Sequence, residues 1–200
     1  MLAQIFISCH FIFEFVIISG MMVKSRTTEM IRIALMAVIM TISAWLTIPF
    51  FIPFTLQTFG VFLTMKILGG KKGTVSIAIY ILLALVGIPV LSGFRGGLEA
   101  LIGLSGGYII GFLGIGLFYW LVKPFNKSRI TDNLFLAVGL IICYGIGTVW
   151  FVFVTEKTLS AKGILQAVSI CVFPYIIPDV LKLILADIIA NRLRKTEMFH

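Results

Sequence analysis

FPYIIPDVLKLILADIIANRLRK, residues 173–195, belongs to one of the most apolar stretches of the chain, yet it carries Asp179 and Lys182 three residues apart. On a helix that spacing puts both side chains on one face, with Cβ atoms about 5 to 6 Å apart, so that the charges neutralise one another or jointly grip a polar ligand. Neither can stay unpartnered in hydrocarbon. A charge at mid-helix costs about 2.5 to 3.5 kcal/mol on insertion scales, so an ionisable residue there is expected to face the bundle interior and mark a site. An internal ion pair that merely ties helices together is the competing reading.

The surrounding chain supports a membrane setting. Of 200 residues, 60% are hydrophobic and 12% charged, too few polar side chains to cover a water-soluble globule of this size. The net charge of +8 does not point to nucleic acid, because the basic residues fall in short clusters between apolar runs, which is a topology signal. Cys9, Cys143 and Cys171 lie within apolar segments with neither CxxC spacing nor paired histidines, and read as small core residues. No metal or cofactor is expected.

Apolar runs at 28–48, 54–70, 74–91, 100–122, 133–155 and 162–191 lie mostly near the ~20 residues that a spanning helix needs. They predict an all-α integral membrane protein with a six-helix core over 24–195 and a tail at 196–200. The last run is too long, and Pro174 and Pro178 divide it into a short outer helix near 162–172 and a spanning helix starting at Pro178, since proline suits the first helical position. Lys24, Arg26, Arg32, Lys66, Lys71, Lys72, Lys123, Lys127, Arg129, Arg192, Arg194 and Lys195 fall on one side, against Arg95, Lys157 and Lys162 on the other. This bias puts both ends of the core in the cytoplasm and Asp179 toward the outer face. Residues 1–23 are apolar enough to insert but carry His10 and Glu14 and lack a basic start, so they make a poor signal peptide. With Met21 and Met22 before VKSRTTEM, they are expected to be an upstream-start extension or an artefact.

Two loops on the Asp179 side hold the remaining chemistry. TIPFFIPFTLQTFG, 47–60, brings aromatics together with Thr55, Gln57 and Thr58, a combination typical of small-molecule pockets. An interfacial aromatic belt explains the phenylalanines equally well, but explains the amide of Gln57 less well. In GIPVLSGFRGGLEALIGLSGGYIIGF, 87–112, the series Gly103, Gly107 and Gly111 reads as a small-residue packing stripe. Gly93, Gly96 and Gly97 flank Arg95, where glycine permits turns and close approach to a ligand. Arg95 is a candidate carboxylate anchor, and Glu99 is expected to form a surface pair with it if the loop is helical.

Several classes have no residues to stand on. GGKKGT is a basic turn rather than a phosphate loop, the histidines are confined to the ends as His10 and His200, and no nucleophile with a nearby base, HExxH helix or paired acidic cluster is evident. An enzyme is therefore disfavoured. A stand-alone carrier lacks a visible inverted repeat, and a non-transporting scaffold remains open.

The series Pro53-Phe54-Thr55-Leu56-Gln57-Thr58, then Gly87-Ile88-Pro89 with Gly93, Gly96 and Gly97, then Gly103-Leu104-Ser105-Gly106-Gly107-Tyr108, and Pro178-Asp179 with Lys182, resembles the BioY family. These proteins are the biotin-binding S components of energy-coupling factor transporters. The resemblance covers most of 26–195. It departs at Leu104 and Ser105, where the family usually reads Gly-Pro-Thr-Gly-Gly-Tyr, and in the alanine pattern of the first helix, kept only in part as Ala34, Ala37, Val38 and Ala44.

The resemblance implies a multi-pass protein of a prokaryotic cell membrane that binds biotin from outside with high affinity. It also implies partners, namely a transmembrane coupling protein, reached through Ala34, Ala37 and Val38, and two cytoplasmic ATPase subunits. Asp179 and Lys182 map onto the family's best attested ligand contacts, with Thr55, Gln57, Gly93, Arg95, Gly97 and Tyr108 expected around them. An S component for another vitamin is the nearest alternative.

Overall fold

In the computed structural model, residues 26–48, 54–125, 128–156 and 160–195 are described. The extension 1–23, with Cys9, His10 and Glu14, lies outside the described residues, as do Met21, Met22, Lys24, Pro53, Lys127, Lys157 and the tail 196–200 with His200. The described chain is helical throughout apart from short connections. Its elements are α1 Arg26–Trp45, strands β1 Thr47–Ile48 and β2 Phe54–Thr55, α2 Gln57–Leu85, α3 Leu98–Ile102, α4 Gly106–Val122 with a 3-10 turn Lys123–Phe125, α5 Arg129–Glu156, α6 Ala161–Cys171 and α7 Phe173–Lys195.

The two runs 54–70 and 74–91 join in α2, which reverses on itself. Its backbone leaves the helix at Gly69, with φ 77° and ψ −174°, a conformation essentially restricted to glycine. A straight helix would hold Gln57 and Tyr80 about 35 Å apart, yet Gln57 Nε2 donates to Tyr80 Oη. Likewise, a Cβ on Gly73 would lie 2.7 Å from Met65 Sδ. Two antiparallel arms, 57–68 and 70–85, therefore form a helical hairpin. By length and composition four described helices can cross a bilayer, namely α1, α2, Gly106–Phe125 and α5, and α6 with α7 brings the number up to five if that bent pair is one span.

The core is buried between these elements. Helix α1 packs on α2, which also packs on α4 and α7, while α4 and α5 form the closest pair. Small residues explain that last contact: a Cβ on Gly107 would lie 2.2 Å from Trp150 Cβ, and one on Gly111 would lie 2.7 Å from Cys143 Sγ. Leu136, Ile115, Tyr119, Phe62 and Met65 fill the interior, and Cys143 and Cys171 are buried, as expected of core residues.

Three expectations need correction. The break in the last run falls at Val172 rather than at Pro178: α6 and α7 meet at 45°, and Pro178 lies inside α7. Pro174 occupies the first turn, where no backbone donor is required, so the helix begins early and gives up only the bond that Pro178 cannot donate. The run 100–122 is also interrupted. Gly103 is extended (φ −68°, ψ −177°) and caps α3 instead of continuing the stripe of Gly107 and Gly111, and its carbonyl accepts from Trp150 Nε1 at 3.0 Å. Finally, Arg95 does not meet Glu99, because it closes a turn bridged to Leu91 and its Nε donates to the Ser92 carbonyl at 3.2 Å.

Candidate functional site

A cavity opens at the end of the bundle where α2 begins, lined by Thr55, Gln57, Thr58, Ser92, Arg95, Tyr108, Phe112, Tyr144, Tyr175, Asp179 and Lys182 among others. The centre of a water molecule can visit about 80 Å³ of it, several times the ~10–15 Å³ that one buried water requires. The space therefore suits an organic molecule.

Asp179 and Lys182 face this cavity and are 3% and 6% exposed. Asp179 Oδ1 accepts from Lys182 Nζ at 2.7 Å and from Thr58 Oγ1 at 2.8 Å, and Oδ2 accepts from Tyr144 Oη at 2.6 Å. Three donors on three helical segments hold the carboxylate still and compensate its burial. Among the described residues Lys182 spends one of its three N–H groups on Asp179, and its Nζ stands 4.4 Å from the centroid of the Phe54 ring. The rest of its donors are left for a guest. Tyr175, with Phe112 and Tyr144, gives the cavity an aromatic wall beside its charges, and Phe54, which is not on the lining, stacks on Tyr175 with centroids 6.0 Å apart.

Gln57 is buried. Its backbone N–H donates to Thr55 Oγ1 at 3.2 Å, its amide donates to Tyr80, and Tyr80 Oη donates to the Val90 carbonyl at 3.1 Å. This chain of bonds ties the first loop to the loop after α2. A second tie runs from Trp45 Nε1 to the Pro89 carbonyl at 2.9 Å, with the Trp45 and Phe94 rings 4.9 Å apart. The Tyr108 hydroxyl is buried beside Thr148 and Cys171 but makes no hydrogen bond of normal geometry, so it is a donor available to a ligand.

The sequence-predicted residues divide into three groups. Asp179, Lys182, Gln57, Thr55, Arg95 and Tyr108 converge on the cavity. Gly93 and Gly97 do not line the cavity; their φ values of 70° and 88° turn the backbone of the loop that carries Arg95, and the Gly97 N–H reaches the Ala84 carbonyl at 2.6 Å. On α1, Ala34 and Val38 are exposed, whereas Ala37 is 2% exposed and belongs to the core, since it points about 60° away from Ala34 around the helix.

Sequence reasoning missed Tyr144, Tyr175 and the role of Thr58. It also missed a second polar centre. Lys66, counted above as a basic end residue, is 2% exposed and donates to Asp132 Oδ2 at 3.0 Å, Asn133 Oδ1 at 2.5 Å and Asp187 Oδ1 at 2.9 Å. A paired acidic cluster thus exists, assembled from α5 and α7 around a lysine of α2.

The model of the BioY family matches residues 20–198. The chain belongs to the BioY family. It is similar to the biotin transporter BioY of Thermotoga maritima, at 34% identity over 171 residues that make up 85% of this chain and 98% of that protein. It is similar to the probable biotin transporter BioY of Pyrococcus horikoshii, at 36% identity over 84% of this chain and 98% of that one. A crystal structure described as the S-component for biotin from an ECF-type ABC transporter superposes with a TM-score of 0.74 and 26% identity, covering 90% of this chain and all of that one. For a BioY protein the arrangement is chemically apt, because a fixed carboxylate, an ammonium with spare donors and aromatic walls suit a guest that is both polar and hydrophobic.

Proposed function

We propose that this chain captures biotin from outside the cell as the S component of an ECF-type importer. Biotin offers two ureido N–H donors and a carbonyl, a thioether ring that needs apolar walls, and a carboxylate on a flexible tail. Asp179 accepts a ureido N–H, Lys182 donates to the ureido oxygen, and the aromatic rings of Phe112, Tyr144 and Tyr175 on the cavity wall enclose the thioether ring. Arg95, at the exposed rim, meets the tail carboxylate, while Gln57, Thr55 and Tyr108 complete the polar contacts and Gly93 and Gly97 shape the lid. The observation that carries this reading is the buried Asp179–Lys182 pair on the cavity wall, in a chain of BioY ancestry.

The reading includes a topology. The arms of α2 with α1, α4, α5 and α7 make six spans, with both ends of the 24–195 core in the cytoplasm, 1–23 as an extension and 196–200 as a tail. The reversal at Gly69 supports the count, and the lysine and arginine bias supports the orientation. Ala34 and Val38, exposed on α1, offer small side chains to a transmembrane coupling protein. Two ATPase subunits supply the energy.

Radiolabelled biotin binding to the purified protein tests the assignment, with Asp179→Asn and Lys182→Met alongside and competition by other vitamins. Charge-assisted bonds in a dry site contribute about 1.5 to 3 kcal/mol each, so each variant should lose binding by about tenfold or more. If Lys182→Met binds biotin and a tail-amidated analogue as the parent does, Lys182 has neither role.

A further inference from the structure

The end of the bundle opposite the biotin cavity holds a second cavity, where the centre of a water molecule can visit about 260 Å³, lined by Lys66, Lys123, Arg129, Arg194, Asp132 and Asp187. Four cations against two carboxylates leave a positive excess, and the hydrogen bonds show where it resides. Lys66 spends its three N–H groups on Asp132, Asn133 and Asp187. Asp132 also accepts from Lys123 Nζ at 3.0 Å and from Tyr119 Oη, and Asp187 also accepts from Arg129 Nε at 2.5 Å and Asn191 Nδ2 at 3.1 Å. The acids are thereby filled.

The outer cations are not. Among the described residues, Lys123 gives two of its three N–H groups, to Asp132 and Tyr119. Arg129 gives one edge of its guanidinium to Asp187, and Arg194 gives one N–H to the Lys66 carbonyl. Each guanidinium has five donors in a fixed fork that matches tetrahedral oxyanions.

These groups sit where α4 ends, α5 begins and α7 finishes, so they ring the cavity at the ends of helices, the place where a bilayer-crossing bundle would present basic side chains to lipid headgroups. The first N–H groups of the 28-residue α5 add positive potential at Ser128 and Arg129.

The geometry points to an anionic phosphate site in this cavity, held by Arg129, Arg194 and Lys123 over the Lys66–Asp132–Asp187 base. The membrane's own source of that group is the phosphodiester of an acidic phospholipid, and a free phosphate presents the same chemistry. An occupant there would bridge α4, α5 and α7 and brace the ends of helices whose opposite ends line the biotin cavity.

The test uses the full chain, stripped of lipid in an uncharged detergent. Melting and native mass spectrometry are followed with short-chain phosphatidylglycerol, short-chain phosphatidylcholine, inorganic phosphate or a glutamate-rich peptide. Saturable stabilisation by phosphatidylglycerol, with retained lipid seen by mass and about tenfold weaker binding in Arg129→Gln and Arg194→Gln, is the expected result. Lys72→Gln, which removes an exposed cation paired with Glu29 outside the cavity, should bind as the parent does. Stabilisation by inorganic phosphate alone, lost in the same two variants, supports the site with a soluble source. The proposal is overturned if phosphatidylcholine or the peptide acts as strongly as phosphatidylglycerol, if nothing binds, or if Lys72→Gln loses as much as Arg194→Gln. Melting of each variant without additive separates lost binding from lost folding.

Discussion

Lys66 Nζ lies 2.9 Å from Asp187 Oδ1, and the 121 residues that separate these partners also separate Thr58 from Asp179. The first arm of α2 and helix α7 therefore run side by side in one register. Polar rungs stand eight residues apart, about 12 Å, and Phe62 and Leu183, which share the same offset, are buried between them in one core. Lys66→Met should destabilise the protein by about 3 kcal/mol, because two buried carboxylates lose their common cation. Joint replacement with Asp132→Asn and Asp187→Asn should recover most of that loss. Thermal unfolding in detergent checks both, and an unaltered melting point for the single variant would refute a structural role.

Tyr144 and Thr58 hold opposite oxygens of Asp179. Each bond to the carboxylate contributes about 1.5 to 3 kcal/mol to holding it in place, and since about 1 kcal/mol of that reaches the ligand indirectly, Tyr144→Phe and Thr58→Val should each weaken biotin binding about fivefold, less than Asp179→Asn. Equilibrium binding ranks the three. A Tyr144→Phe protein as defective as Asp179→Asn would mean that the hydroxyl touches the ligand itself.

The α4–α5 seam should reject bulk at Gly107, where an added Cβ would fall 2.2 Å from Trp150, and accept it at Gly145, where nothing lies within 4 Å. Gly107→Leu should cost about 1–3 kcal/mol or more. Gly145→Ala, on the same pair of helices, should raise the melting point slightly through helix propensity.

Gly69 also has no atom within 4 Å of a built Cβ, yet its φ is 77°. Gly69→Ala should therefore destabilise by about 1–3 kcal/mol through backbone strain alone. Comparing its melting point with that of Gly145→Ala separates conformation from crowding.

Trp45→Phe keeps a ring beside Phe94 but removes the donor to the Pro89 carbonyl. Losing about 1 kcal/mol from that clasp should speed biotin release about fivefold. A chase of bound label with unlabelled vitamin measures the rate.

Asp179 and Lys182 were legible because two charges in an apolar run violate the expectation of their surroundings, and the violation is local. The helical hairpin was legible as two runs around GGKK. Lys66 was not, since its partners stand 66 and 121 residues away and an isolated lysine at the edge of an apolar run looks like any other end marker. Tyr144 was hidden for a similar reason: a lone hydroxyl in IICYGIG carries no sign of which face will turn toward Asp179. Pro178 misled because proline marks a start only when the residues before it cannot begin the helix themselves, and Phe173 to Ile177 can.

The turn at Gly69 leaves helical arms of 12 and 16 residues, about 18 and 24 Å, so under the six-span topology proposed above each is shorter than the ~30 Å of hydrocarbon it would cross. The first arm is almost wholly buried among its neighbours, whereas the second exposes Val75, Leu82 and Leu85, so lipids beside that second arm have to compress or tilt, at a fraction of a kcal/mol per ångström of mismatch. A second protein standing against that arm would relieve the deformation, so under the proposed function the thickness of the host bilayer would tune how readily the chain takes a membrane partner.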